Sequence, residues 1–153
     1  MIVRLAAAMI LTATLAASPA LAQDGRVTAT SQAPFQTVAE ALAKAVTDHK
    51  MALVCHANAQ RGAAARGVSI KGNQVLMVFR NDLAVRLLAA DPQAGIDAPI
   101  RIYVYENADG TATVSYVPPS AVFAQYKNPE VTTVAAELDP IVKAIVSAAL
   151  AAR

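Results

Sequence analysis

The stretch IRIYVYENADGTATVSYV, from Ile100 to Val117, constrains the fold more than any other part of the chain. Two β-rich runs flank Asp109-Gly110, a strong hairpin signal, and Pro118-Pro119 stops the second run. Side chains alternate along an extended strand, so each run presents one set to a core and one set away from it.

Other segments supply the partners. KMALVCH is a short β-like run, and NQVLMVFR, from Asn73 to Arg80, is a strand with an almost continuous apolar centre. Val75, Met77 and Phe79 oppose Leu76 and Val78 on it, so both faces want cover. Val38, Ala41, Leu42, Ala45 and Val46 fall at helical spacing behind Thr37, with Glu40 three residues on as in a capping box. ANAQRGAAARG reads as a turn or short helix. LAVRLLAAD is a helix capped by Asn81 or Asp82 and ended by Pro92. SAVFAQY is a short helix. The closing apolar segment is a long one in which Pro140 either makes a kink or starts a new helix behind Asp139. The order predicts an α+β two-layer sandwich, an about four-stranded, mainly antiparallel sheet with helices packed on one face.

The amino terminus carries a different message. A short basic start with Arg4, an apolar run and Ala20-Leu21-Ala22 read as a secretory signal peptide over residues 1–22. The run is too short for ~30 Å of hydrocarbon. Gln23 stands where a lipidated leader needs cysteine. Residues 23–34 are polar and read as a flexible leader, and residues 35–153 as one domain. The expected location is periplasmic or secreted, with no stable membrane span after cleavage. Basic and acidic residues number 13 and 11 and are scattered, which argues against a nucleic-acid partner.

HKMALVCHANAQ holds the single cysteine, Cys55, and both histidines, His49 and His56. One thiol makes no internal disulfide, and burial is its commonest fate. If residues 51–56 are regularly extended, Met51, Leu53 and Cys55 share one face and His56 takes the other. Cys55 and His56 then cannot hold one ion together. Met51 and Cys55 stand ~13 Å apart along a strand, too far for metal–sulfur bonds of ~2.3 Å. Cys55 can, however, meet Met77 across neighbouring strands, giving two soft ligands suited to Cu(I). His49 is expected at the end of the first helix.

Gly62 to Ser69 mimics a phosphate loop but has Val68 at the lysine position, and no G-x-S-x-G elbow or paired carboxylates occur. No catalytic set is complete, and no cofactor is called for. The hairpin offers a physical candidate. Arg101, Tyr103 and Tyr105 share a face, and an even-length turn adds Tyr116 to form a ligand pocket or contact surface. A three-residue turn disperses that cluster. The alternative is that the rings cap the core while their hydroxyls reach water.

Several spaced motifs agree with one family. Phe79-Arg80-Asn81 ends an apolar strand, and Asp91-Pro92-Gln93-Ala94-Gly95 closes a helix. Pro99 opens a strand that ends in Tyr105-Glu106, and Asp109-Gly110 and Ser115-Tyr116 follow. From about Phe35 to Tyr126 the chain resembles the DUF302 family, a domain of unknown function. The resemblance implies a small α+β domain with an antiparallel sheet and offers no general enzymatic activity to carry over. Many members have an Asp-His pair after the first strand, and its positions here are Asn58 and Ala59.

The expectation is an exported, non-catalytic module that binds a small ligand or protein through Arg101, Tyr103, Tyr105 and Tyr116. The alternative is redox or soft-metal handling, of copper or haem, with Cys55, His56 and Met77 as candidates. A homodimer burying the tyrosine face is a third reading.

Overall fold

In the computed structural model, which describes residues 25–153, the hairpin supplies two strands of a five-stranded antiparallel sheet. The elements run β1 (Val27–Pro34), α1 (Phe35–Asp48), β2 (Ala52–Asn58), α2 (Ala59–Ala64), β3 (Asn73–Phe79) and α3 (Asn81–Ala90). Then come β4 (Ile100–Glu106), β5 (Thr111–Tyr116), α4 (Pro119–Val122) and α5 (Pro129–Leu150), with short 3-10 turns at Pro92–Ile96 and Phe123–Gln125. Spatial order is β1-β5-β4-β3-β2. The α+β class holds, with five strands where the sequence predicts about four.

The additional strand is β1. It lies in the segment read as a flexible leader, yet it pairs antiparallel with β5 from Val27↔Tyr116 to Ser31↔Ala112. Of its inward residues, Val27 stays exposed at the strand's start and Ala29 and Ser31 are small, so no apolar alternation shows on the sequence. The domain thus begins before Phe35. The signal peptide read over residues 1–22 lies outside the described residues.

α1 begins at Phe35, ahead of the Thr37 capping box, and no side chain caps it. Glu40 accepts from Gln36 Nε2 rather than reaching back to the first turn. The Phe35 N–H instead donates to Gly110 O at 3.0 Å, so the hairpin tip satisfies an amide that the helix cannot. α2 is the short helix in the alanine-rich stretch, and Asn58 Oδ1 caps it by accepting from Arg61 N at 2.8 Å.

Buried residues of α1 (Val38, Leu42, Val46), α3 (Leu83, Leu87) and α5 (Val131, Val134, Val142, Ile145) form one core. They pack on Leu76, Val78, Ile100, Ile102, Val104 and Val114 of the sheet. Each such side chain contributes about 1.5–3 kcal/mol when fully buried. α5 stays a single helix through Pro140, and no second helix starts behind Asp139. The ring of Pro140 is exposed, as is Ala136 one turn earlier, so the carbonyl that loses its amide partner lies on the water side.

The hairpin turn has three residues, Ala108 to Gly110, closed by Asn107 N donating to Thr111 O at 2.8 Å. Gly110 takes φ +85°, a left-handed conformation natural only to glycine. Asp109 Oδ1 accepts from Thr111 N at 3.0 Å and Thr111 Oγ1 at 2.6 Å. This odd length sets the register Glu106↔Ala112, Tyr105↔Thr113 and Tyr103↔Ser115.

Candidate functional site on the open sheet face

The helices of the core lie against one face of the sheet. The register puts Asn73, Val75, Met77, Arg101, Tyr103, Tyr105, Thr113 and Ser115 on the other. Tyr103 and Tyr105 stack, with ring centroids 5.3 Å apart and planes inclined by 29°. Asn73 Nδ2 donates to the Tyr103 hydroxyl, fixing one ring from β3. Toward β1 the surface turns polar: Thr28 and Ser115 hydroxyls lie 3.2 Å apart and those of Thr30 and Thr113 3.0 Å. One half of this face is therefore aromatic and apolar, and the other is a closed ladder of hydroxyls.

Tyr116 does not join the tyrosine cluster. The three-residue turn places it opposite Ile102 and Val27, on the helix side, where it is buried. Desolvation there, then the nearby charge of Asp139, raises its phenol above the ordinary tyrosine value. The even-length turn behind the four-residue grouping is thus corrected, and the group on the open face is Arg101, Tyr103 and Tyr105, the first exposed and the two rings half-buried.

The first-strand region also departs from simple alternation. β2 has a bulge between Leu53 and Cys55: Leu53 pairs with Val78, Cys55 with Met77 and His56 with Leu76. Leu53 and His56 therefore face the helices, while Cys55 faces out. Met51 is buried in the core, so it shares no face with Cys55. Cys55 and His56 still diverge, as expected, because they are consecutive beyond the bulge. The expectation of a buried thiol is wrong, since Cys55 is exposed. Its cross-strand neighbour is Met77. His49 caps the end of α1, where its Nδ1 donates to Ala45 O at 2.8 Å.

On the helix side, His56 Nε2 and the buried Gln74 Oε1 lie 2.7 Å apart. They share a groove of about 180 Å³ with Asn58, Gln36 and Glu40. Asn58 and Ala59, the positions of the Asp-His pair in the resemblance, serve as the cap and first residue of α2. Among the described residues no three His, Cys, Asp or Glu side chains converge as metal ligands. No helix among them is long and apolar enough to cross a membrane.

The open face continues into a cleft of about 380 Å³ between Met77 and Arg101 on the sheet and Ile96, Asp97, Pro99 and Val117 around it. Arg101 makes no ion pair among the described residues. Asp97 Oδ2 is engaged, accepting from the Tyr126 hydroxyl at 2.8 Å and Gln125 Nε2 at 3.0 Å. That hydrogen bond, with desolvation second, raises the Tyr126 phenol above its ordinary value. Sequence reasoning finds Arg101 and Met77 but misses the other wall. The connection Pro92 to Pro99 reads only as a loop, and its return to the sheet is a tertiary fact.

The DUF302 family model, described as a domain of unknown function, matches residues 27–149. The chain belongs to the DUF302 family. The match starts at the first residue of β1 and ends within the last turn of α5, so it takes in the whole sheet and its helical layer. No curated protein matches this DUF302 chain. Its fold is similar to the crystal structure of an uncharacterized conserved DUF302 protein from Bacillus stearothermophilus. The TM-score is 0.70 at 16% identity, covering 81% of this chain and 97% of the other.

Proposed function

We propose that this DUF302 domain is an exported, non-catalytic binding module whose ligand or protein partner docks on the open sheet face. The observation that carries the reading is the Tyr103–Tyr105 stack beside an unpaired Arg101 on a face without a helical layer. Rigid aromatic rings and a guanidinium give contact area and orientation at low entropic cost. The chain has no tryptophan, so tyrosine emission reports the site directly. A small-molecule panel is titrated while that emission is followed, and Tyr103→Ala and Tyr105→Ala each remove the response of a true ligand. Responses unchanged in both variants refute the reading. Export rests on the amino-terminal pattern alone. Amino-terminal sequencing of protein from the periplasm or medium should begin at Gln23.

A second reading rests on the Cys55–Met77 pairing, which sets two soft sulfur ligands on adjacent strands and facing outward. Such a pair suits Cu(I). Competition for Cu(I) against a chromogenic chelator tests it, with Cys55→Ala and Met77→Leu each expected to release the metal. Equal competition by wild type and both variants ends this reading.

A further inference from the structure

The cleft beside Arg101 combines three features that specify the chemistry of an occupant. Its walls are amphipathic, with Met77, Ile96, Pro99 and Val117 supplying the apolar part beside a polar part of similar extent. It carries two charged groups: the Asp97 carboxylate, whose Oδ2 already accepts from the Tyr126 hydroxyl and the Gln125 amide, and the Arg101 guanidinium, which has no ion-pair partner among the described residues and is left to meet an occupant. Its rim carries Ile96, which is 86% exposed although large and aliphatic. A volume of about 380 Å³ sits at the lower end of the range for small-molecule sites.

We propose that this cleft binds a small aliphatic monocarboxylate, its head paired with the Arg101 guanidinium and its chain laid against Met77, Val117 and Ile96. The assignment rests on the open-face binding reading and names the ligand class for it. Charge complementarity decides the head group: a guanidinium forks onto a carboxylate in two parallel hydrogen bonds, whereas an alcohol leaves it unneutralised. The exposed Ile96 decides the tail, since an apolar chain removes that side chain from water.

The test is NMR titration of the full domain with octanoate, 1-octanol and octyltrimethylammonium, read at the methyl groups of Met77 and Ile96. Octanoate is expected to shift both methyls and to bind roughly tenfold or more tighter than 1-octanol, the worth of a charge-assisted hydrogen bond. The ammonium compound should not bind. Arg101→Gln should reduce octanoate to the level of the alcohol, and Ile96→Ala should weaken both. Arg101 is exposed and unpaired, so its variant should keep the wild-type melting temperature. No preference for octanoate, or a preference that survives Arg101→Gln, overturns the assignment. If octanoate fails while some other ligand still depends on Tyr103 and Tyr105, only the carboxylate assignment falls. If Tyr103 and Tyr105 also prove silent, the open-face reading falls with it.

Discussion

The ring of Phe35 fills the space that a side chain at Gly72 would need. A Cβ on residue 72 would lie 2.2 Å from Phe35 Cε1, closer than real carbon atoms approach. Phe35 is itself buried at the head of α1, so the ring has little room to retreat. Gly72 is further held by its N–H on Glu106 Oε2 at 2.7 Å and its carbonyl on Glu106 N at 2.9 Å. Gly72→Ala is expected to destabilise the domain by about 1–3 kcal/mol through overpacking, read as a lower urea midpoint at unchanged slope. A wild-type midpoint would show that α1 can shift away.

The exposed Cys55 should alkylate readily in the native protein. Its rate with iodoacetamide is expected to fall within about one order of magnitude of the rate in urea, since accessibility is not limiting. Reaction only after unfolding would place the thiol under cover.

Arg86 on α3 clamps two carboxylates of α5, donating to Glu130 Oε1 at 2.8 Å and to Glu137 at 2.8 and 2.9 Å. Its hydrogen bond holds the Glu137 carboxyl below the ordinary glutamate value. A carboxyl lowered by folding adds stability above its unfolded pKa, about 4.3, and that share vanishes as pH falls through the lowered value. Glu137→Gln should therefore flatten the acid limb of the stability profile. The groups are solvent-exposed, so the change should be small and should shrink in high salt. A variant whose acid limb matches wild type contradicts the clamp.

Tyr126 offers an alkaline counterpart. The Asp97 carboxylate accepts a hydrogen bond from its hydroxyl and keeps the phenol neutral past the ordinary tyrosine value. A folded pKa raised this way gives stability that is complete below the unfolded value, about 10, and lost as pH rises through the folded one. Asp97→Asn should bring one tyrosinate transition at 295 nm back toward about 10. No movement of any transition would separate the two side chains in solution.

The hairpin is legible because Asp109-Gly110 and the alternating apolar residues on either side agree. The length of its tip is not, since Asp-Gly serves two-residue and three-residue turns alike, and that one residue decides the side on which Tyr116 falls. β1 hides because its inward residues after the exposed Val27 are only Ala29 and Ser31, and a strand that buries so little side chain leaves no apolar period. α1 is plain from its apolar spacing, but its start is set by the contact of Phe35 with Gly110, a partner 75 positions away that no local cap records. Arg101, Tyr103 and Tyr105 can be grouped from strand parity alone. The cleft wall needs Ile96 and Asp97 brought back over the sheet, which only the folded chain does.

The bulge at Val54 works as a phase shifter. Excising that residue leaves every other pairing between β2 and β3 as it stands, with Leu53 on Val78 and Cys55 on Met77. Shortening the strand further along and straightening it instead would carry the thiol into the interior and turn the imidazole outward. The two surfaces of the sheet can thus trade their reactive groups through chain length alone, with no side chain exchanged.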